Sequence, residues 1–95
     1  MNISTNAIGF TLDNDRQELI DKKLERVKYA DALIVTLSLK VKLDNKQFFF
    51  EANVNFKWGT NAHVSADDFD FAAGLNKLMD VLDQKIKKEK DKVQH

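Results

Sequence analysis

Between Leu33 and Leu43 an apolar residue stands at every second position: Leu33, Val35, Leu37, Leu39, Val41 and Leu43. Ile34, Thr36, Ser38, Lys40 and Lys42 fill the gaps. Side chains alternate across a strand with a period of two, so this segment predicts a long strand with one buried face. Asp44-Asn45-Lys46 supplies turn chemistry directly after it. The alternation then resumes, with Phe48, Phe50, Ala52, Val54 and Phe56 set against Phe49, Glu51, Asn53, Asn55 and Lys57. Two such runs joined by a short polar turn predict an antiparallel pair. Trp58-Gly59-Thr60-Asn61 makes the next turn, and Ala62, Val64 and Ala66 alternate with His63 and Ser65 as a short further strand. A meander with one apolar face needs a second layer to cover it.

The flanking segments have the pattern of that layer. Residues 2–7 read as a first strand with Ile3, Thr5 and Ala7 on one face, and Gly9 and Phe10 turn the chain. Thr11 or Asp13 can cap a helix whose first turns carry Asp15 and Glu18, acids that suit the helix N-terminus. Leu19, Ile20, Leu24 and Val27 recur at helical spacing, and the helix is expected to run through Tyr29. Ser65 or Asp67 caps a second helix in this reading. Phe71, Leu75, Leu78, Leu82 and Ile86 form its apolar stripe, with Ala72 and Met79 beside them. The order is β-α-β-β-β-α, and the expected architecture is an α+β two-layer sandwich: a four-stranded sheet with both helices packed on one face. The other face stays open.

Composition bounds what such a domain can do. With 95 residues, 43% hydrophobic and 32% charged, the chain is expected to form a single domain over 1–95. No apolar run approaches the ~20 residues of a membrane span. Met1 is followed by Asn2, Ser4, Thr5 and Asn6 rather than by a basic and then an apolar region, so no signal peptide is read there. Without an export signal, the cytoplasm is the expected location. The absence of cysteine excludes a disulfide scaffold, a thiolate metal site and a cysteine nucleophile.

Formal net charge is zero, from 15 basic and 15 acidic residues, but its distribution is uneven. Residues 67–83 set Lys77 against Asp67, Asp68, Asp70, Asp80 and Asp83. Residues 84–95 set Lys85, Lys87, Lys88, Lys90 and Lys92 against Glu89 and Asp91. The bulk basic balance of a nucleic-acid binder is missing, yet a basic patch at the end of the second helix remains. On a helix, Lys85, Lys88 and Lys92 share one face, while Lys87 and Lys90 point toward another.

Catalytic chemistry has little to draw on. His95 is the last residue of the sequence; His63 and Ser65 share the polar face of the short strand, and a hydrolase built on them lacks a marked orienting acid and oxyanion hole. Asp67, Asp68 and Asp70 lack the glycine and glutamate spacing of a calcium loop, and helix capping accounts for them better. No catalytic residue, metal site or cofactor is assigned. Phe49, with Lys42, Glu51 and Lys40 on the same face, offers the aromatic and basic groups of a stacking platform for single-stranded RNA, or else pairs with Ile34 across the sheet. Trp58 reads as a lid over the core edge, or else as a contact residue.

The order of these residues resembles the short ribosome hibernation-promoting factors, a family that includes the ribosome-associated inhibitor and was formerly labelled sigma-factor modulation proteins. The likeness begins with Asn2-Ile3-x-x-Asn6, Leu12, Leu19-Ile20, Lys23-Leu24-x-Arg26 and Tyr29-x-Asp31. It is most specific at His63-x-Ser65-Ala66, followed by Asp68, Phe69, Ala72, Ala73, Leu75, Leu78, Asp80 and Leu82, then Lys88-x-Lys90-x-Lys92. The resemblance implies the same two-layer fold and a non-enzymatic role. In that role the chain binds the small ribosomal subunit near the decoding centre and silences idle ribosomes. It further implies rRNA contacts by Lys23 and Arg26 on the first helix and by Lys88, Lys90 and Lys92 on the second, with Lys85 and Lys87 as local additions of the same sign. The chain departs from the family at Val81 and Gln84, where a basic residue is usual, and Asp83 lies between them. No counterpart of the long members' C-terminal dimerisation domain is expected, and ribosome pairing would need a second hibernation factor; the free chain is expected to be a monomer. The competing reading is a protein-interaction module on the same fold, without rRNA binding.

Overall fold

The computed structural model describes residues 1–94, so His95 lies outside the described residues. The chain forms β1 (Asn2–Ile8), α1 (Asn14–Leu24), a 3₁₀ segment (Glu25–Leu33), β2 (Ile34–Asp44), β3 (Gln47–Phe56), β4 (Asn61–Asp68) and α2 (Phe71–Gln94). The sheet order is β1-β2-β3-β4, with β1 parallel to β2 and the other neighbours antiparallel. Both helices cover one face, so the expected α+β sandwich is the observed fold. Among the described residues, no helix is long and apolar enough to cross a membrane.

Asn45 and Lys46 both have positive φ, at 53° and 66°, between the paired Asp44 and Gln47. That is the two-residue turn whose twist matches a right-handed hairpin. The core sits between sheet and helices, built on fully buried Phe50, Leu37, Val54, Leu75, Leu78 and Leu82. Phe10, Phe48 and Phe71 meet edge to face at centroid distances of 5.4–6.4 Å, and the Arg16 guanidinium lies 5.4–5.6 Å from all three rings. Trp58 stacks on Phe56 at 4.7 Å and closes the far edge of the core, as expected of a lid.

Four local expectations are corrected. The first helix stops at Leu24 instead of reaching Tyr29, and the chain tightens into the 3₁₀ segment. Leu24, Val27, Ala30 and Leu33 recur at strict three-residue spacing, and a helix of three residues per turn stacks them in a single row against the core. The last strand runs on to Asp68, because Asp67 and Asp68 pair with Phe49 and Phe48 of the long β3. The cap of α2 is therefore Asp70, whose carboxylate accepts from the Ala73 N–H at 2.9 Å, and not Ser65 or Asp67. At the start of α1 the choice falls on Asp13, which accepts from the Arg16 N–H at 2.8 Å.

The third correction concerns the phase of β2. A bulge between Ile34 and Thr36 turns Ile34 inward, fully buried, and leaves Val35 47% exposed. Alternation predicts the reverse. An extra residue in a ladder shifts every side chain before it to the opposite face. Ile34→Val is accordingly expected to cost about 0.5–1.5 kcal/mol, and Val35→Thr less than about 0.5 kcal/mol, in urea unfolding. Equal costs, or the opposite order, would place the bulge elsewhere. The fourth follows from the register of the hairpin: Ile34 faces Phe56, not Phe49, whose cross-strand neighbours are Lys42 and Asp67.

β1 is covered less completely. Thr5 and Ala7 are half-buried, but Ile3 is 45% exposed and lines an open groove of about 700 Å³ beside Leu24.

Candidate nucleic-acid interface

The cations singled out above lie on the helical layer. As the chain advances through α1 and the 3₁₀ segment it meets successive parts of α2: Arg16 lies over Phe71, Arg26 pairs with Asp80, and Tyr29 donates to Asp83. The two helical stretches therefore run side by side in the same direction. Lys23 and Arg26 sit beside the first half of α2, while Lys85, Lys87, Lys88, Lys90 and Lys92 occupy its second half. At 1.5 Å per residue, Lys88 and Lys92 lie about 12–18 Å further along the axis than Asp80. The two groups form a strip along the helices rather than one cluster.

Many of these charges already have partners. The Arg26 guanidinium is 2.9 Å from Asp80, with both side chains well exposed. Lys87 Nζ is 3.1 Å from Asp83 and 6.0 Å from the centre of the Tyr29 ring, facing the 3₁₀ segment. On the opposite flank, Lys85 and Lys92 both reach Glu89, at 3.4 and 3.3 Å. Glu89 is buried, and Lys92, then Lys85, hold its carboxyl below the usual range. Lys23, Lys88 and Lys90 have no ion pair among the described residues, and Lys88 is exposed. The expected separation of Lys85 and Lys92 from Lys87 onto two flanks is observed.

Sequence reasoning counted these acids but did not pair them with the cations. The spacings were there: Asp83 to Lys87 and Lys85 to Glu89 are four residues apart, and Glu89 to Lys92 is three, all within reach on a helix. It also passed over Lys22 and Lys28, both exposed on the same layer.

The seam between the helical stretches is an acid-linked network. The hydrogen bond from Tyr29 holds the Asp83 carboxyl below its usual range, and Lys87 adds to this. Burial and the same hydrogen bond push the Tyr29 hydroxyl above its ordinary value of 10.0. A raised tyrosine stabilises fully below its unfolded value and loses that contribution as the pH rises above it. A lowered aspartate behaves oppositely, losing its contribution as the pH falls below about 4. Tyr29→Phe is expected to cost about 1 kcal/mol at neutral pH, a modest figure because the tyrosine is 47% exposed. It should also flatten the fall in stability above about pH 10. Urea midpoints measured from acid to alkaline pH test both; an unchanged alkaline limb would mean the hydrogen bond is absent in solution.

The open sheet face carries His63 and Ser65, two residues apart on β4. His63 Nε2 stands 4.0 Å from Glu51, and both side chains are about half exposed. Adjacent same-face positions on a strand are about 6.6–6.8 Å apart, too far for a nucleophile and its base without inward movement. No group of three or more metal-ligating side chains gathers among the described residues.

The fold and its sequence have counterparts. At a TM-score of 0.86 and 23% identity, the chain is similar to a ribosomal subunit interface protein from Coxiella burnetii, over 96% of this chain and 99% of that one. The N-terminal domain of Thermus thermophilus Protein Y matches at a TM-score of 0.80 and 21% identity, over 93% of this chain and 98% of that one. Among curated proteins no sequence match is found. The family model described as Sigma 54 modulation protein / S30EA ribosomal protein matches residues 3–94, and the chain belongs to that family.

Proposed function

We propose that this chain is a ribosome-binding translation inhibitor that occupies the decoding region of the small subunit and silences idle ribosomes without catalysis. Family membership over residues 3–94 is the observation that carries the reading. The solved relatives support it, since one is named a ribosomal subunit interface protein. The helical layer supplies compatible chemistry. Lys88, Lys90 and Lys23 offer cations without internal partners, and the exposed Arg26–Asp80 pair can open toward a phosphate, because such surface pairs are worth only about 0–1 kcal/mol. Contact made through these groups is electrostatic and carries a steep salt dependence.

Co-sedimentation with purified ribosomes on sucrose gradients, at low and moderate salt, tests this directly. The expected result is migration with the small subunit and with whole ribosomes, lost as salt rises. Failure to co-migrate at low salt would overturn it and leave the protein-interaction module without rRNA binding as the better reading. The pairing of Arg26, Lys85, Lys87 and Lys92 with acids is the observation that favours that alternative.

A further inference from the structure

The face of the sheet turned away from the helices is a grid of four rows. Three rows are polar: Asn2–Thr36–Asn55–Asn61, Ser4–Ser38–Asn53–His63 and Asn6–Lys40–Glu51–Ser65. Within them, Ser4 donates to Ser38 and Asn55 to Thr36. The fourth row is different. It reads Ile8–Lys42–Phe49–Asp67 across the sheet, and Phe69 follows two residues after Asp67 at the same end. Ile8 is 37% exposed, Phe49 38% and Phe69 70%. Phe49 stands as a ridge between two shallow depressions, of about 200 Å³ on the Lys42 side and about 360 Å³ on the Asp67 side.

Exposed large apolar side chains at one end of a face whose other rows are polar, with Val35 the exception near the far end, mark an interaction surface. The charges around them select the partner. Lys40 and Lys42 lie on the β2 side of Phe49, with no ion pair among the described residues. Asp67 lies on the β4 side, and Asp68 and Asp70 flank Phe69. Lys77 neutralises Asp68 at 2.8 Å but only its Nζ contact with the Asp67 backbone oxygen, at 3.5 Å, approaches that residue. A nucleic acid is negative throughout, so it would gain at the lysines and be repelled at Asp67, Asp70 and Glu51. A polypeptide can place opposite charges on the two sides of an apolar anchor.

We propose that this row docks a protein segment, with an apolar side chain seated beside Phe49 and Phe69, a basic residue over Asp67 and Asp70, and an acidic residue over Lys40 and Lys42. The surface lies on the face opposite the lysine strip. One copy of the chain can therefore hold a protein on one side and a polyanion on the other.

The test uses the full chain, labelled with ¹⁵N, and a synthetic peptide with glutamates at one end, leucines in the middle and arginines at the other. An all-glutamate analogue and an oligouridine serve as comparisons. Binding is expected with a dissociation constant of about 1 mM or tighter, with amide shifts confined to the fourth row and Phe69. Phe69→Ala, at a position exposed enough to leave folding intact, is expected to weaken it about tenfold. Asp67→Lys is expected to weaken it further by repelling the arginines. The proposal is overturned if the peptide leaves the row unshifted, if Phe69→Ala binds as the parent does, or if oligouridine shifts the same amides, which would make this a nucleic-acid surface. No ribosome enters the experiment, so its outcome is separate from that of the sedimentation test.

Discussion

Replacing Gly74 by leucine is expected to leave the chain unfolded, and replacing it by alanine to lower stability by about 1–3 kcal/mol. A side chain at this position points from α2 into β3. A Cβ there would stand 2.2 Å from Phe50 Cε1 and 3.0 Å from its Cδ1 and Cζ. The ring cannot retreat, because Phe50 is fully buried and its centroid lies 6.3 Å from that of Phe48 and 5.5 Å from that of Phe71. Helix propensity argues the other way, since alanine is favoured over glycine by about 1 kcal/mol in a helix interior. The sign of Gly74→Ala therefore measures which effect is larger, and packing should win. Each kcal/mol corresponds to about 4–8 °C in the thermal midpoint of a domain this small. Phe50→Leu removes the ring edge that the new methyl meets, so the double variant should be more stable than the two single losses predict, by about 0.5–3 kcal/mol. A stabilising Gly74→Ala, or strict additivity with Phe50→Leu, would show that α2 does not approach the sheet this closely. The contact sets how closely α2 lies against β3.

The sheet and the apolar face of α2 were legible because each rests on a repeated physical period. Alternation over 37–43 and 48–56, and the stripe from Phe71 to Ile86, each place a whole face by many residues at once. The errors fell where a single residue changes the phase. Nothing in Leu33-Ile34-Val35 distinguishes a bulge from regular alternation, since all three are apolar, and only the pairing of Ile34 with Phe56 reveals it. The 3₁₀ segment did leave a signal, the three-residue spacing of Leu24, Val27, Ala30 and Leu33, but it overlaps a helical spacing and was absorbed by it. The extension of β4 to Asp68 depended on the length of its partner β3, which is a tertiary fact. The candidate site was legible as a list of cations. How many of those cations carry an acid beside them depended partly on local spacing, as for Glu89, and partly on packing, as for Arg26 with Asp80, which is 54 residues away.

That distribution of partners decides which charge reversals matter most for the proposed function. Lys88→Glu with Lys90→Glu is expected to weaken binding to the small subunit by about 100-fold at 0.1 M salt, because each phosphate contact is worth about tenfold there. Both lysines lack an ion pair among the described residues, so their reversal removes available positive charge without breaking one. Lys85 and Lys92 differ, since each is drawn to Glu89. Reversing them would place new carboxylates against a buried one, and lost binding could then reflect lost helix structure. Glu89→Gln tests the same pair from the other side. It keeps the shape, removes the competing charge and frees two lysines at once, so affinity should rise by up to about 100-fold and the salt slope should steepen by up to about two. Co-sedimentation over a series of salt concentrations, with circular dichroism to confirm the helix, reads both. Unchanged binding in the Lys88→Glu, Lys90→Glu variant would remove Lys88 and Lys90 from the interface. A Glu89→Gln variant that binds as the parent does would mean that Lys85 and Lys92 take no part in phosphate contact, and would leave Lys88, Lys90 and the α1 cations to carry it.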